Sequence, residues 1–92
     1  MTKEELFDKV AGAIAETAGI SAAEITMESN LMDDLELSSM EVYMSLAKLE
    51  EELSVRFTDR VIMDIMTVED LVNVTGVLAD ALHGKTPAGQ TL

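Results

Sequence analysis

Residues 38–53 read Ser-Ser-Met-Glu-Val-Tyr-Met-Ser-Leu-Ala-Lys-Leu-Glu-Glu-Glu-Leu, and this stretch constrains the fold more than any other. Val42, Leu46, Leu49 and Leu53 fall at i, i+4, i+7 and i+11, the spacing of one buried stripe on a helix. Just ahead of the stripe, Ser38 and Glu41 form an S-x-x-E capping box. The Ser38 hydroxyl is expected to accept from the Glu41 N–H, and the Glu41 carboxylate from the Ser38 N–H. The spacing predicts a helix from about Ser39 to Leu53 that must bury one face against something else. Residues 3–18 supply a second such face through Leu6, Val10, Ala13, Ile14 and Ala18, with Gly19 as the stop. A third helix is expected from Val68 to about His83, with Thr67 as N-cap, Asp70 in the first turn and Gly84 at the end.

Between these helices, residues 20–37 form an unusually long irregular connection for so short a chain. Ser21-Ala22-Ala23-Glu24 suits a short capped turn, and Ile25, Met27, Leu31 and Leu35 are expected to pin the connection to the core. Residues 59–66 suit a short helix or turn. Nothing alternates with period two for long enough to argue a sheet. The expected class is therefore all-α: a small bundle of three main helices plus one short helix, with a long first loop. Residues 1–83 would form the domain and 84–92 a loose polar tail.

Composition narrows the function. The 92 residues allow one modest core, and with only three aromatics it must be built from Leu, Ile, Val, Met and Ala. Eighteen acidic residues against six basic ones give a formal charge of −12, which repels nucleic acid and anionic membrane and favours partners with Arg/Lys patches. There is no cysteine, so disulfides, thiolate metal sites and a cysteine nucleophile are excluded. No signal peptide and no apolar run long enough to span a membrane are visible. A cytoplasmic chain, monomeric by default, is the expectation.

The serine pair is the candidate site. Ser38 has a structural role as the cap, which leaves Ser39 at the first helical position. From spacing alone, Ser39 is simply a tolerated small residue. A catalytic serine needs a positioned base. The only histidine, His83, lies at the far end of the last helix, where a cation-capable residue suits the helix dipole, and no G-x-S-x-G turn surrounds Ser39. If Ser39 takes part in chemistry, it is as a hydroxyl modified by another enzyme. A phosphodiester there would sit among unpaired N–H groups at the positive end of the helix, a gain of about 0.3–1 kcal/mol.

Asp33-Asp34-Leu35-Glu36-Leu37-Ser38-Ser39-Met40-Glu41 resembles the D-L-G-x-D-S-L-D segment of acyl carrier proteins. Leu46-Ala47-Lys48-Leu49-Glu50-Glu51-Glu52-Leu53 is similar to the family's A-L-E-E-E-F helix end, and Thr67-Val68-Glu69-Asp70-Leu71 to the T-V-x-D segment that opens its last helix. The likeness spans roughly residues 3–82. It implies that the Ser39 hydroxyl is converted to a 4'-phosphopantetheine ester, Asp34-Leu35 fixing the register. Ser38 then stands in the place of the family's aspartate, Met40 in that of its leucine, and Glu36 in that of a common glycine. The resemblance implies a carrier rather than an enzyme. The arm, derived from coenzyme A, ends in a thiol that holds acyl groups as thioesters, and the lack of cysteine fits an arm that supplies the only thiol. The implied partners are a phosphopantetheinyl transferase and acyl-processing enzymes with basic docking patches, in fatty-acid, polyketide or related lipid synthesis. An aminoacyl or peptidyl cargo is an alternative. An unmodified acidic helical adaptor is another.

Away from the buried stripe, Met40, Met44 and Ala47 form a second apolar strip flanked by Glu41, Glu51 and Glu52, with Lys48 interrupting the acid. An acidic rim around an apolar strip suits a basic groove. With Asp34 it makes the expected docking surface: Asp34, Met40, Glu41, Met44, Ala47 and Glu51. Met44 stands where many relatives have a glutamate. For an acyl chain slipping between helices, Leu46, Ile62, Met63 and Val68, with Met44, are the expected lining. Methionine as ordinary gap-filler is the alternative. Asp33, Asp34 and Glu36 read as a solvated acidic loop rather than a cation site.

Overall fold

A computed structural model describes residues 2–82 of the chain. Four α-helices follow one another: α1 (Lys3–Ala18), α2 (Ser39–Leu53), α3 (Asp59–Ile62) and α4 (Val68–Leu82), with one 3-10 turn at Ala22–Glu24 in the long first connection. The class is all-α, as expected. The only extended pairing among the described residues is a single antiparallel bridge between Asn30 and Thr67. His83, Gly84 and the expected tail at 84–92 lie outside the described residues.

Each helix begins where side-chain chemistry can satisfy its first N–H groups. Thr2 and Glu5 form a capping box on α1, with Thr2 N–H to Glu5 Oε1 at 2.8 Å and Glu5 N–H to Thr2 Oγ1 at 3.1 Å. Gly19 ends α1 at φ 71°, the left-handed conformation that glycine adopts without steric cost. Ser21 caps the 3-10 turn through the Ala23 N–H, and Thr58 caps α3 through the Val61 N–H.

The core lies where α1 packs against both α2 and α4. Leu6, Val10, Ala13 and Ile14 come from α1, Leu46, Leu49 and Leu53 from α2, and Val68, Leu71 and Val72 from α4. The long connection joins them through buried Ile25 and Leu31, while Met27 and Leu35 pack partly buried against the same core. A hydroxyl pair crosses from half-buried Thr17 on α1 to buried Ser45 on α2: Thr17 Oγ1 lies 2.6 Å from Ser45 Oγ, and Ser45 Oγ donates to the Glu41 carbonyl at 2.9 Å. After α2, the Glu50 carboxylate accepts the Phe57 N–H at 2.8 Å, which folds buried Val55 and Phe57 back onto the bundle.

One buried polar atom is left without a partner. Thr75 is fully buried in α4, and its Oγ1 makes no hydrogen bond among the described residues. An unpaired buried hydroxyl carries its desolvation cost with nothing to offset it. Thr75→Val keeps the shape and removes the hydroxyl, so it is expected to raise stability by about 1 kcal/mol and the melting temperature by about 4–8 °C. Thr75→Ser, which keeps the hydroxyl and loses a methyl, should melt below the wild type. Thermal unfolding of the three proteins checks this, and a valine variant no more stable than wild type would count against it.

Candidate functional site

The long connection does not hang free. Its second half folds onto the segment between α3 and α4 through backbone hydrogen bonds. Leu31 N–H donates to the Met66 carbonyl at 3.0 Å, Val68 N–H to Ser29 at 2.9 Å, and Glu69 N–H to Met27 at 3.0 Å. Asn30 organises the turn that follows: its Oδ1 accepts the Met32 and Asp33 N–H groups at 3.0 and 2.8 Å. Asp34 closes the turn by accepting the Asn30 N–H at 2.8 Å. The chain then passes Glu36 at φ 56°, the left-handed region where an L side chain is strained by about 1–2 kcal/mol. This is the position at which the resembled motif commonly has glycine.

The far side of this junction is held by Asp70. Its carboxylate accepts the Met66 and Thr67 N–H groups at 3.0 and 3.1 Å, while Thr67 Oγ1 accepts the Asp70 N–H at 3.1 Å. The hydrogen bond from the Thr67 N–H, then that from Met66, holds the Asp70 carboxyl below its ordinary value, against a smaller opposing effect of burial. A lowered folded-state pKa means that the stabilisation is complete above the unfolded pKa of about 4 and is lost as pH falls through the folded value. Asp70→Ala is therefore expected to cost about 1 kcal/mol at pH 7, read from urea midpoints. The gap between variant and wild type should close on acidification below about pH 4. A gap unchanged at pH 3 would contradict this assignment.

At the start of α2 the two serines have different surroundings. Ser38 is the cap, with Glu41 N–H to Ser38 Oγ at 3.1 Å and Ser38 N–H to Glu41 Oε1 at 2.9 Å. Ser39 is the first helical residue and is exposed, and its hydroxyl makes no hydrogen bond among the described residues. It opens onto a groove of about 390 Å³. One wall is the 30–33 turn with Leu31 and Met32, a second is α2 with Val42 and Tyr43, and the third runs from Ile62 and Met63 to Ile65 and Met66.

Of the residues expected to line an acyl pocket, Ile62 and Met63 lie on this groove. Leu46 and Val68 do not: both are buried in the helical core, 3% and 0% exposed. Met44 faces outward from α2. The lining residues that sequence reasoning did not single out include Met32, Tyr43, Ile65 and Met66. Val42, assigned to the buried stripe, is half-buried and forms part of the groove.

The expected docking residues divide into two groups. Met40, Met44, Ala47 and Glu51 follow one another at four- and three-residue steps along α2 and are all exposed. Glu41 is half-buried in the cap, and Asp34 is exposed but tied to Asn30. Four carboxylates and no Lys or Arg occur between residues 33 and 47, so this end of the molecule is strongly negative. Lys48, the next cation, is engaged by Glu16 of α1 at 3.0 Å and by Glu52 at 3.6 Å. No group of three or more metal-ligating side chains occurs among the described residues, and none of their helices is long and apolar enough to cross a membrane.

The groove entrance has one chemically accessible group. A free, exposed hydroxyl stands at the first position of a 15-residue helix, where the leading N–H groups lack intrahelical acceptors. Comparison with known proteins agrees. Residues 8–75 match the family described as the phosphopantetheine attachment site. The acyl carrier protein of Petrotoga mobilis is 36% identical over 74 residues, covering 80% of this chain and 87% of the relative. That of Clostridium acetobutylicum is 38% identical over 68 residues, covering 74% and 88%, and that of Thermotoga maritima 33% identical over 72 residues, covering 78% and 89%. The match carries with it a covalently attached 4'-phosphopantetheine as the cofactor. An all-α bundle, a hydroxyl at a helix start beside an open groove, and similarity along most of the sequence lead to one conclusion: this chain belongs to the acyl carrier protein family.

Proposed function

We propose that the chain is a carrier whose 4'-phosphopantetheine is esterified to Ser39 and which delivers acyl groups to partner enzymes of fatty-acid, polyketide or related lipid synthesis in the cytoplasm. In this reading it is a substrate and shuttle, not a catalyst. The observation that carries the reading is the contrast at the head of α2: the Ser38 hydroxyl is engaged in the cap, and the Ser39 hydroxyl is exposed and unpaired. When bound, the arm supplies a terminal thiol on which acyl groups are held as thioesters.

The chain's own residues would do the rest. The start of α2 presents the Ser39 oxygen to a transferase and places the resulting phosphodiester at the positive end of the helix. Asn30, Asp34 and Asp70 hold the groove walls in register beside it. Met40, Met44, Ala47 and Glu51 offer a docking strip with apolar centre and acidic flank, suited to a partner with a basic rim. The test is incubation with coenzyme A, magnesium and a phosphopantetheinyl transferase. The expected result is a mass increase of one phosphopantetheine, mapped to the peptide that contains Ser39. A chain left unmodified by several transferases would support the adaptor reading instead.

A further inference from the structure

The groove beside Ser39 is unusual in one respect: three of its lining residues are methionines. Met32, Met63 and Met66 come from three different parts of the backbone, the 30–33 turn, the residue after α3 and the segment before α4. Each is open to solvent, at 53%, 82% and 62% exposure. A thioether in the core is shielded from dissolved oxidants, but these three are not. They also supply much of the groove's apolar character, beside the polar side chains of Asn30, Asp33, Ser39 and Tyr43.

We propose that Met32, Met63 and Met66 form a site of reversible oxidation by hydroperoxides that controls whether the groove beside Ser39 holds an apolar group. The chemistry is balanced within the named reactants. A sulfur lone pair attacks the terminal peroxide oxygen, the O–O bond breaks, and the other oxygen takes the proton of the transferred one and leaves as water from hydrogen peroxide or as an alcohol from an organic hydroperoxide. The sulfur is oxidised by two electrons and the peroxide reduced by two, giving methionine sulfoxide. A sulfoxide reductase working with a dithiol reverses the step, yielding disulfide and water. The product is a strongly polar S=O group in place of a flexible apolar one. An apolar group seated against it would strip that oxygen of water and return no hydrogen bond. Met40 and Met44 are exposed too, but they stand outside the groove, so their oxidation should leave groove binding unchanged.

The use of the groove for an apolar cargo rests on the carrier reading above, and the experiment separates the two. The full chain is titrated with the neutral dye Nile red before and after hydrogen peroxide treatment, with sulfoxides located by peptide mass spectrometry. The expected result is sulfoxide at positions 32, 63 and 66 with about tenfold weaker dye binding, equivalent to roughly 1.4 kcal/mol, restored by methionine sulfoxide reductases A and B with dithiothreitol. The triple variant Met32→Leu, Met63→Leu, Met66→Leu keeps an apolar lining of similar volume and should bind dye equally before and after peroxide. The proposal is overturned by unchanged binding in oxidised wild type, by an equal loss in the triple variant, by failure of the three positions to oxidise, or by no dye uptake in the reduced chain. Transferase labelling of the same samples reports the carrier reading separately. In the reduced chain Ser39 should accept the arm, and its failure to do so there would overturn the carrier reading, while the dye titration decides the methionine site.

Discussion

Ser39→Ala is expected to give no mass increase with coenzyme A, magnesium and a phosphopantetheinyl transferase, while its thermal unfolding stays close to that of wild type. The Ser39 hydroxyl makes no hydrogen bond among the described residues, so its removal leaves nothing unsatisfied. Alanine also has a high intrinsic helix propensity. The stability change should therefore remain within about 0.5 kcal/mol. Ser38→Ala is expected to behave in the opposite way. It keeps the Ser39 hydroxyl but deprives the Glu41 N–H of its acceptor at 3.1 Å, at a cost of about 0.5–2 kcal/mol, and it should still be labelled. The pair distinguishes attachment from capping because each variant changes one readout and spares the other. Label on Ser38, or a labelled Ser39→Ala chain, would refute the assignment. The acidic surroundings sharpen the question of recognition. Ser38 stands where the resembled motif has an aspartate, so this chain presents one negative charge fewer beside the proposed attachment point.

The helices were legible in the sequence because local chemistry determines them. The capping box of α2, the Gly19 stop of α1 and the Thr67-Asp70 start of α4 all rest on contacts spanning four residues or fewer, and the α2 stripe on a repeat of three and four residues. The structure places the α2 bounds at Ser39 and Leu53, as the stripe and cap predict. The groove was much less legible, because its walls are joined by contacts that no local pattern encodes. Leu31 meets Met66, and Ser29 meets Val68, through backbone groups that every residue carries. A list of apolar residues cannot say which of them face the core and which face this groove. Leu46 illustrates the difficulty: the stripe through Val42, Leu46, Leu49 and Leu53 already placed it in the core, and that signal outweighs its apolar character as a reason to set it in a pocket. Tyr43 carried a usable signal. It lies one helical turn beyond Ser39, so it falls on the same face of α2.

The second large effect is expected in the core. Leu49 is fully buried at the centre of the α2 stripe, in the same cluster as Val10, Ile14, Leu71 and Val72. Leu49→Ala removes buried methyl groups and leaves a cavity that the surrounding helices cannot fully close, which costs about 2–5 kcal/mol. A domain of this size has a total stability of roughly 4–12 kcal/mol, so about a sixth of it is lost at the least and much more in a marginal domain, with a melting temperature at least about 8 °C lower. Met44→Ala on the opposite face of the same helix should change stability by less than about 0.5 kcal/mol, because Met44 is 47% exposed. The two variants should differ in function as well. A folded Leu49→Ala chain keeps Ser39 and the whole α2 strip, so its labelling should track the folded fraction and recover under conditions that stabilise the bundle. Met44→Ala leaves the fold intact and removes an apolar contact from the strip, so any loss in kcat/KM with the transferase should persist at every temperature where the chain is folded. If Leu49→Ala unfolds at the wild-type temperature, the α2 stripe is not what holds the helix in place. If Met44→Ala is labelled as efficiently as wild type, the transferase reads the head of α2 without this part of the strip.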